Sequence, residues 1–218
     1  MLCQTCHYQR KKMTVPCMTG LRQRTLLDGD DLFVEFKGAL TEQYVCQQLK
    51  TVEDSFPAGK FDTLQAIHKY LYEDVFDFAG KIRTVNLAKG NFRFAPLIYL
   101  QAALDNIDKM PQSTFDEIIE KYVEMNIAHP FREGNGRSTR IWLDHILKDE
   151  IGKVVDWSKV DKEDYLLAME RSPIKDVELK VLLKGALTDE INSREVYMES
   201  IDQSYYYEGF AAFKTEEL

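Results

Sequence analysis

One segment in the middle of the chain carries the residues best suited to chemistry. It reads His129-Pro130-Phe131-Arg132-Glu133-Gly134-Asn135-Gly136-Arg137 and is followed by Arg140. Glycines at a helix N-terminus let backbone N–H groups approach an anion closely, because no Cβ stands in the way. Arg137 and Arg140 are three residues apart, so one side of the first helical turn carries two guanidiniums. This pattern predicts a site for more than one phosphate group.

Two further side chains supply what phosphate chemistry needs. Glu133 is an acid in positive surroundings, which suits a Mg²⁺ ion that bridges phosphates. His129 is the side chain of this segment suited to take a proton near neutral pH. The segment therefore predicts a base, a metal ligand, a phosphate cradle and two phosphate clamps. A nucleotide that is attacked by a hydroxyl group fits all of these parts.

Each part also has a purely structural interpretation. A histidine before proline is often a helix cap, Gly-Asn-Gly is often a tight turn, and Glu133 could form a surface ion pair of little energy. Phe131 is predicted to lie in the core under either interpretation. The structural interpretation explains none of the spacing, so the chemical one is preferred.

The pattern His-x-Phe-x-Glu-Gly-Asn-Gly-Arg-x-x-Arg resembles the Fic family motif at every defining position. Residues 78–83 and 89–94 resemble the family's approach to its flap hairpin, and the resemblance covers residues 57–218. It implies an all-α fold, a Fic-type helical bundle with one β-hairpin flap.

The resemblance also implies the roles of individual residues. His129 would deprotonate a target hydroxyl, and Glu133 would hold Mg²⁺ on the α- and β-phosphates of ATP. Arg140 would bind the γ-phosphate. The remaining ATP-binding residues would be Lys89, Gly90, Asn126, Gly134, Asn135, Gly136 and Arg137.

The implied reaction transfers AMP from ATP to a Ser, Thr or Tyr hydroxyl of a protein substrate, with ATP and Mg²⁺ as cofactors. The substrate would dock by strand addition on the flap, which comprises Lys89, Gly90, Asn91, Phe92, Arg93 and Phe94. Relatives that transfer a phosphate carry Lys where Gly136 stands, so Gly136 favours AMP transfer. The alternatives are AMP removal, another nucleotide-derived transfer such as phosphocholine, and a non-catalytic module that binds peptides with the flap.

A helix predicted at about 193–209 contains Ser204, three tyrosines and Glu208. It resembles the inhibitory Ser-x-x-x-Glu-Gly/Asn motif of Fic proteins with a C-terminal inhibitory helix. Glu208 would then pair with Arg140 and occupy the γ-phosphate position. Tyr205, Tyr206 and Tyr207 are candidates for automodification. The alternative is a terminal helix that is simply packed on the core.

Helical spacing and capping signals predict the remaining organisation. The predicted helices span 61–79 with a stop at Gly80, then 97–108, a helix that opens at Thr114-x-x-Glu117 and stops near His129, then 137–148, and a helix from Ser172-Pro173 to Gly185. A hairpin is predicted over 83–94 and a loop from His129 to Gly136. These elements predict one helical domain with one hairpin.

Charge, hydropathy and cysteine content argue against nucleic-acid binding, membrane insertion, secretion and zinc binding. The net charge is −8, and residues 1–27 contribute +5, so the remainder carries −13, which argues against a nucleic-acid partner. No apolar run would span a membrane and no secretory signal is visible, so we expect a cytoplasmic bacterial protein. Cys3 and Cys6 with His7 resemble half of a zinc site, but Cys17 and Cys46 stand alone, so no zinc is predicted.

The first 56 residues differ from the usual start of a Fic core. We interpret 1–56 as an atypical segment, disordered or fused, and 57–218 as the Fic domain. Residues 31–45 weakly resemble a segment from the C-terminal part of some bacterial ATPases. The expected partners are a protein substrate and a second copy of the chain in a homo-oligomer.

Overall fold

The computed structural model describes residues 55–73, 76–89, 92–193 and 195–196. Its helices are α1 (Phe61–Tyr72), α2 (Leu97–Ile107), α3 (Phe115–Ala128), α4 (Asn135–Ile151), α5 (Lys162–Arg171) and α6 (Val177–Gly185), with a short 3-10 helix at Trp157–Lys159. Its strands are β1 (Ala88–Lys89), β2 (Phe92–Arg93), β3 (Val154–Val155) and β4 (Leu187–Thr188). The predicted all-α class with a hairpin is confirmed.

Helices α3 and α4 lie at the centre of the fold and pack on each other. Helix α3 begins with the predicted capping box, in which the Glu117 N–H donates to Thr114 Oγ1 and the Glu117 carboxylate accepts from the Thr114 N–H. Its buried side chains meet those of α4, such as Trp142 and Leu143. Helix α1 covers α4, while α2 and α6 pack on α3. The packing of these helices on one another fixes the position of residues 129–134, which connect α3 to α4.

Helix α1 ends at Tyr72, so the prediction of a helix to Ala79 is wrong. The residues before Gly80 form turns that fold back against α1. Gly80 adopts a φ of 70°, its N–H donates to His68 Nδ1, and its carbonyl accepts from Gln65 Nε2. These side chains of α1 hold the returning chain in place of further helical turns.

Two other predicted boundaries are wrong. Helix α4 begins at Asn135, with Gly134 as its N-cap, so the loop is shorter than the predicted one. Ser172 ends α5 rather than starting a helix, since its N–H and its hydroxyl both donate to the Met169 carbonyl. Helix α6 begins only at Val177.

Helix α5 and the pair β3–β4 were not predicted. Asp161 caps α5 by accepting from the N–H groups of Glu163 and Asp164, a signal that the sequence does contain. Strands β3 and β4 are two residues each and pair Val154 with Thr188, so they are too short to show a strand period. Within the described residues, none of the helices has the length and apolar character needed to cross a membrane.

Candidate active site

His129 stands where α3 ends. It is the C-cap residue and adopts a left-handed conformation with φ 48° and ψ 62°. The proline that follows disfavours helical geometry at this position, which explains the end of α3 at the predicted residue. The imidazole stacks on the Phe94 ring with 3.7 Å between centroids and 15° between planes. The flap hairpin therefore touches His129 through its last aromatic residue.

The surroundings of His129 keep its ring neutral. Burial, together with the charges of Arg83 and Lys89, lowers the pKa of His129 to about 4. The backbone of Asn126 opposes this shift. Nδ1 is buried and has no hydrogen bond of good geometry among the described residues. Because Nδ1 is enclosed, Nε2 is the nitrogen that a substrate can reach.

Arg83 holds the backbone around His129 and was not predicted as a site residue. Its guanidinium donates to the carbonyls of His129 at 2.7 Å and Ala128 at 3.2 Å, and also to those of Val85 and Ala95. The backbone N–H of Arg83 donates to the Pro130 carbonyl at 2.8 Å. Burial lowers the pKa of Arg83. Except for Val85, its partners are distant in sequence, so no local pattern marks it.

The loop between the two central helices is fixed by the side chain of Asn135. Asn135 Nδ2 donates to the Phe131 carbonyl at 2.8 Å, and Asn135 Oδ1 accepts from the Phe131 N–H at 2.9 Å. Both amide atoms are thus used within the loop. Asn135 can contribute to anion binding through its backbone N–H, since the first amides of a helix have no carbonyl partner within it.

Gly134 and Gly136 differ in their backbone conformation and in the atoms that a side chain there would meet. At Gly134 the backbone has a φ of 76°, and an added Cβ would lie 2.4 Å from Tyr72 Cε2. At Gly136 the backbone is helical, and an added Cβ would meet only Arg140 Nη1, at 3.6 Å. Packing therefore requires Gly134, whereas a Cβ at Gly136 would make only an ordinary contact with Arg140.

The two arginines of α4 are buried and lie over aromatic rings. Arg137 is 4% exposed, with Cζ 5.6 Å from the centre of the Tyr72 ring, and Arg140 is 7% exposed, with Cζ 5.7 Å from that of Trp157. Trp157 is held by Asp144, whose carboxylate accepts from the indole N–H at 3.0 Å. Both guanidiniums are thus positioned at the start of α4.

Glu133 is exposed beside this helix N-terminus, and its Oε1 accepts from the Gly134 N–H at 3.1 Å. No cluster of three or more acidic, histidine or cysteine side chains that could hold a metal occurs in the part of the chain that the structure describes. One carboxylate is still compatible with Mg²⁺, which commonly takes one or two carboxylates and completes its shell with phosphates and water.

The structure brings together His129, Glu133, the loop glycines and both arginines. Asn126 lies one turn before His129 on α3, where its Nδ2 donates to the Tyr122 carbonyl at 2.9 Å. Lys89 is exposed on β1, and Phe92 packs edge-on against Phe94 at 5.2 Å. The other predicted site residues, Gly90, Asn91, Ser204, Tyr205, Tyr206, Tyr207 and Glu208, lie outside the described residues.

Comparison with known proteins shows which family and which sequences this chain resembles. Residues 59–147 match the model of the Fic/DOC family. Protein adenylyltransferase VbhT of Bartonella schoenbuchensis is 34% identical over 155 residues, which cover 64% of this chain and 32% of VbhT. The probable protein adenylyltransferase Fic of Escherichia coli K12 is 27% identical over 143 residues, which cover 61% of this chain and 71% of that protein. The chain thus spans about a third of VbhT.

Solved structures show the same fold. The N-terminal FIC domain of Bep8 from Bartonella sp. 1-1C superposes with a TM-score of 0.57 at 17% identity, covering 72% of this chain and 88% of that one. BepC from Bartonella tribocorum, with bound AMPPNP, superposes with a TM-score of 0.55 at 18% identity, covering 73% and 84%.

Proposed function

We propose that this chain, of which residues 59–147 match the model of the Fic/DOC family, is an auto-inhibited protein adenylyltransferase. It would transfer AMP from ATP to a Ser, Thr or Tyr hydroxyl of a target protein. Relatives named as protein adenylyltransferases support the reaction class. A Fic structure with bound AMPPNP and another with bound ADP support ATP as the nucleotide.

The observation that carries the proposal is a neutral histidine beside an open helix N-terminus. The pKa of His129 is lowered to about 4, so its ring can accept a proton at neutral pH. The target hydroxyl oxygen attacks the α-phosphorus while its proton passes to His129 Nε2. The bond from the α-phosphorus to the bridging oxygen of the β-phosphate breaks, and pyrophosphate leaves.

The start of α4 would bind the triphosphate. Backbone N–H groups of Gly134 to Gly136 would face the α- and β-phosphates, with Arg137 beside them and Arg140 at the γ-phosphate. The lack of a side chain at Gly136 supports this pose, because even a Cβ there would already touch the Arg140 guanidinium. Lys89 on the flap and Asn126 before His129 would complete the nucleotide site.

Glu133 is the side chain that would hold Mg²⁺. When bound, Mg²⁺ neutralises charge on the α- and β-phosphates and favours departure of pyrophosphate. The bond between the Gly134 N–H and Glu133 Oε1 orients the carboxylate at the mouth of the anion site. A single carboxylate leaves the rest of the coordination shell to phosphate oxygens and water.

The hairpin β1–β2 would receive the target protein. Its short strands are exposed or half-buried, so a peptide can pair with their edge. Phe94 then places this peptide relative to His129, because the two rings are stacked. The hydroxyl to be modified would thus reach the base directly.

Inhibition would depend on Glu208 and Ser204 in the C-terminal segment. Glu208 would pair with Arg140 and displace the γ-phosphate, so that ATP binds in a pose unfit for transfer. The burial of Arg140 supports such pairing, since a charge in that place interacts strongly with an opposite one. Tyr205, Tyr206 and Tyr207 are proposed as automodification sites.

The test uses the full chain, labelled ATP and Mg²⁺. Glu208→Gly should incorporate far more AMP than the wild type, and adding His129→Ala should abolish incorporation. Glu190→Gly, which also removes an exposed glutamate near the C-terminal segment, is the control and should resemble the wild type. Equal incorporation by wild type and Glu208→Gly would refute inhibition. If Glu208→Gly transfers no AMP yet binds peptides with the flap, the protein is a binding module.

A further inference from the structure

A second histidine, His68, lies behind the loop on α1. It is fully buried, and both of its ring nitrogens are used. Nε2 is 2.9 Å from the Glu133 carbonyl oxygen, and the Gly80 N–H donates to Nδ1 at 2.9 Å. The ring stacks on Phe131 with 3.8 Å between centroids. His68 thus joins α1, the turn that leads to the flap and the loop that carries Glu133.

The two hydrogen bonds define the tautomer of His68. A backbone N–H can only donate, so Nδ1 must be the unprotonated acceptor for Gly80. Nε2 therefore carries the proton and donates to the Glu133 carbonyl, which can only accept. The same ring cannot exchange these roles without breaking both bonds.

The Glu133 carbonyl is coupled to the Glu133 carboxylate through one peptide group. The carbonyl of Glu133 and the N–H of Gly134 belong to the same planar trans peptide, so they point in opposite directions. His68 holds the carbonyl, and the N–H on the other side donates to Glu133 Oε1 at 3.1 Å. The orientation of this peptide plane consequently orients the carboxylate.

We propose that His68 is a positioning residue of the nucleotide site, which holds the Glu133–Gly134 peptide plane and so aims the Glu133 carboxylate and the first amides of α4. This inference rests on the proposed function, because it assigns the carboxylate to Mg²⁺ and the amides to phosphate. His68 does not itself touch the nucleotide. Residues that orient metal ligands in this way typically change metal affinity or activity by about 10- to 100-fold when replaced.

Two replacements of His68 each keep one of its two hydrogen bonds and remove the other. Gln can place its Nε2 near the position of histidine Nε2 and keep the bond to Glu133. Asn can place its Oδ1 near the position of histidine Nδ1 and keep the bond to Gly80 only. Both remove the aromatic ring, so the loss of packing against Phe131 is shared by the pair.

The experiment measures the affinity of the full chain for AMPPNP by calorimetry over a series of Mg²⁺ concentrations. We expect His68→Asn to weaken Mg²⁺-dependent binding by about tenfold and His68→Gln to stay much closer to the wild type. In a Glu133→Gln background, the difference between the two variants should largely disappear, because the carboxylate to be aimed is absent. Equal affinities for His68→Asn and His68→Gln would overturn the proposal.

A second readout needs no nucleotide. Hydrogen exchange of the backbone amides over residues 131–137 should speed up in His68→Asn and change less in His68→Gln. Equal exchange in the two variants overturns the positioning role even if the chain binds no nucleotide. AMP transfer by Glu208→Gly is scored separately, so a failure of the proposed function is distinguishable from a failure of this inference.

Discussion

Replacement of Gly134 by alanine tests the geometry of the loop directly. The backbone there has a φ of 76°, and a side chain in the left-handed region costs about 1–2 kcal/mol. The new Cβ would also lie 2.4 Å from Cε2 of the buried Tyr72 ring, and such overpacking costs about 1–3 kcal/mol. Together, Gly134→Ala should lower the free energy of unfolding by about 2–5 kcal/mol.

Gly136→Ala is the matched control. Its backbone is helical, and the added Cβ would have only an ordinary contact of 3.6 Å with Arg140 Nη1. Alanine is favoured over glycine within a helix by about 0.5–1 kcal/mol, so this variant should be slightly more stable than the wild type. The two substitutions are identical in chemistry and differ in the backbone conformation and in the neighbouring atoms that the new Cβ meets.

The free energy of unfolding of both variants is measured by urea denaturation and their Tm by thermal melting, each followed by circular dichroism. For a chain of this length, 1 kcal/mol corresponds to about 2–4 °C in Tm, so Gly134→Ala should melt about 4–20 °C lower. A Gly134→Ala protein as stable as Gly136→Ala would refute the contact with Tyr72. Calorimetry with AMPPNP completes the test, because Gly136→Ala should weaken nucleotide binding without loss of stability if phosphates lie against the backbone of Gly136.

Three further predictions concern the surroundings of His129. Since burial lowers the pKa of His129 to about 4, the unprotonated ring is present above that pH. The kcat/KM for AMP transfer by Glu208→Gly should therefore fall on acidification with a midpoint well below 6.5, and a midpoint at 6.5 or higher in a pH series would contradict the assignment. Arg83→Met leaves four backbone carbonyls without their donor and should cost about 3–5 kcal/mol in urea denaturation, whereas Arg93→Met on the exposed strand should cost little. A small loss for Arg83→Met would show that those carbonyls find other donors. Phe94→Leu removes the ring that stacks on His129 and should lower kcat while AMPPNP affinity and Tm stay near wild type. An unchanged kcat would show that the flap does not place the target through this ring.

Local patterns in the sequence were sufficient for several features. The capping box at Thr114 and Glu117 acts within one helical turn, and the end of α3 at His129 follows from the next residue being proline. Errors arose where a local signal competed with distant contacts. Apolar spacing predicted a helix beyond Tyr72, but the chain turns there because Gln65 and His68 bind the returning Gly80.

The sequence by itself determined the candidate chemistry, because His129, Glu133 and the arginines of α4 all lie within residues 129–140. Only the tertiary structure showed which distant side chains fix the backbone around these residues. Arg83 takes its carbonyl partners from the end of α3, and His68 on α1 binds the loop carbonyl of Glu133. It also showed that the two glycines differ, since a Cβ at Gly134 would clash with Tyr72 whereas one at Gly136 would make an ordinary contact with Arg140. These contacts join residues far apart in the chain, and their energies depend on burial and direction, which residue type and spacing do not specify.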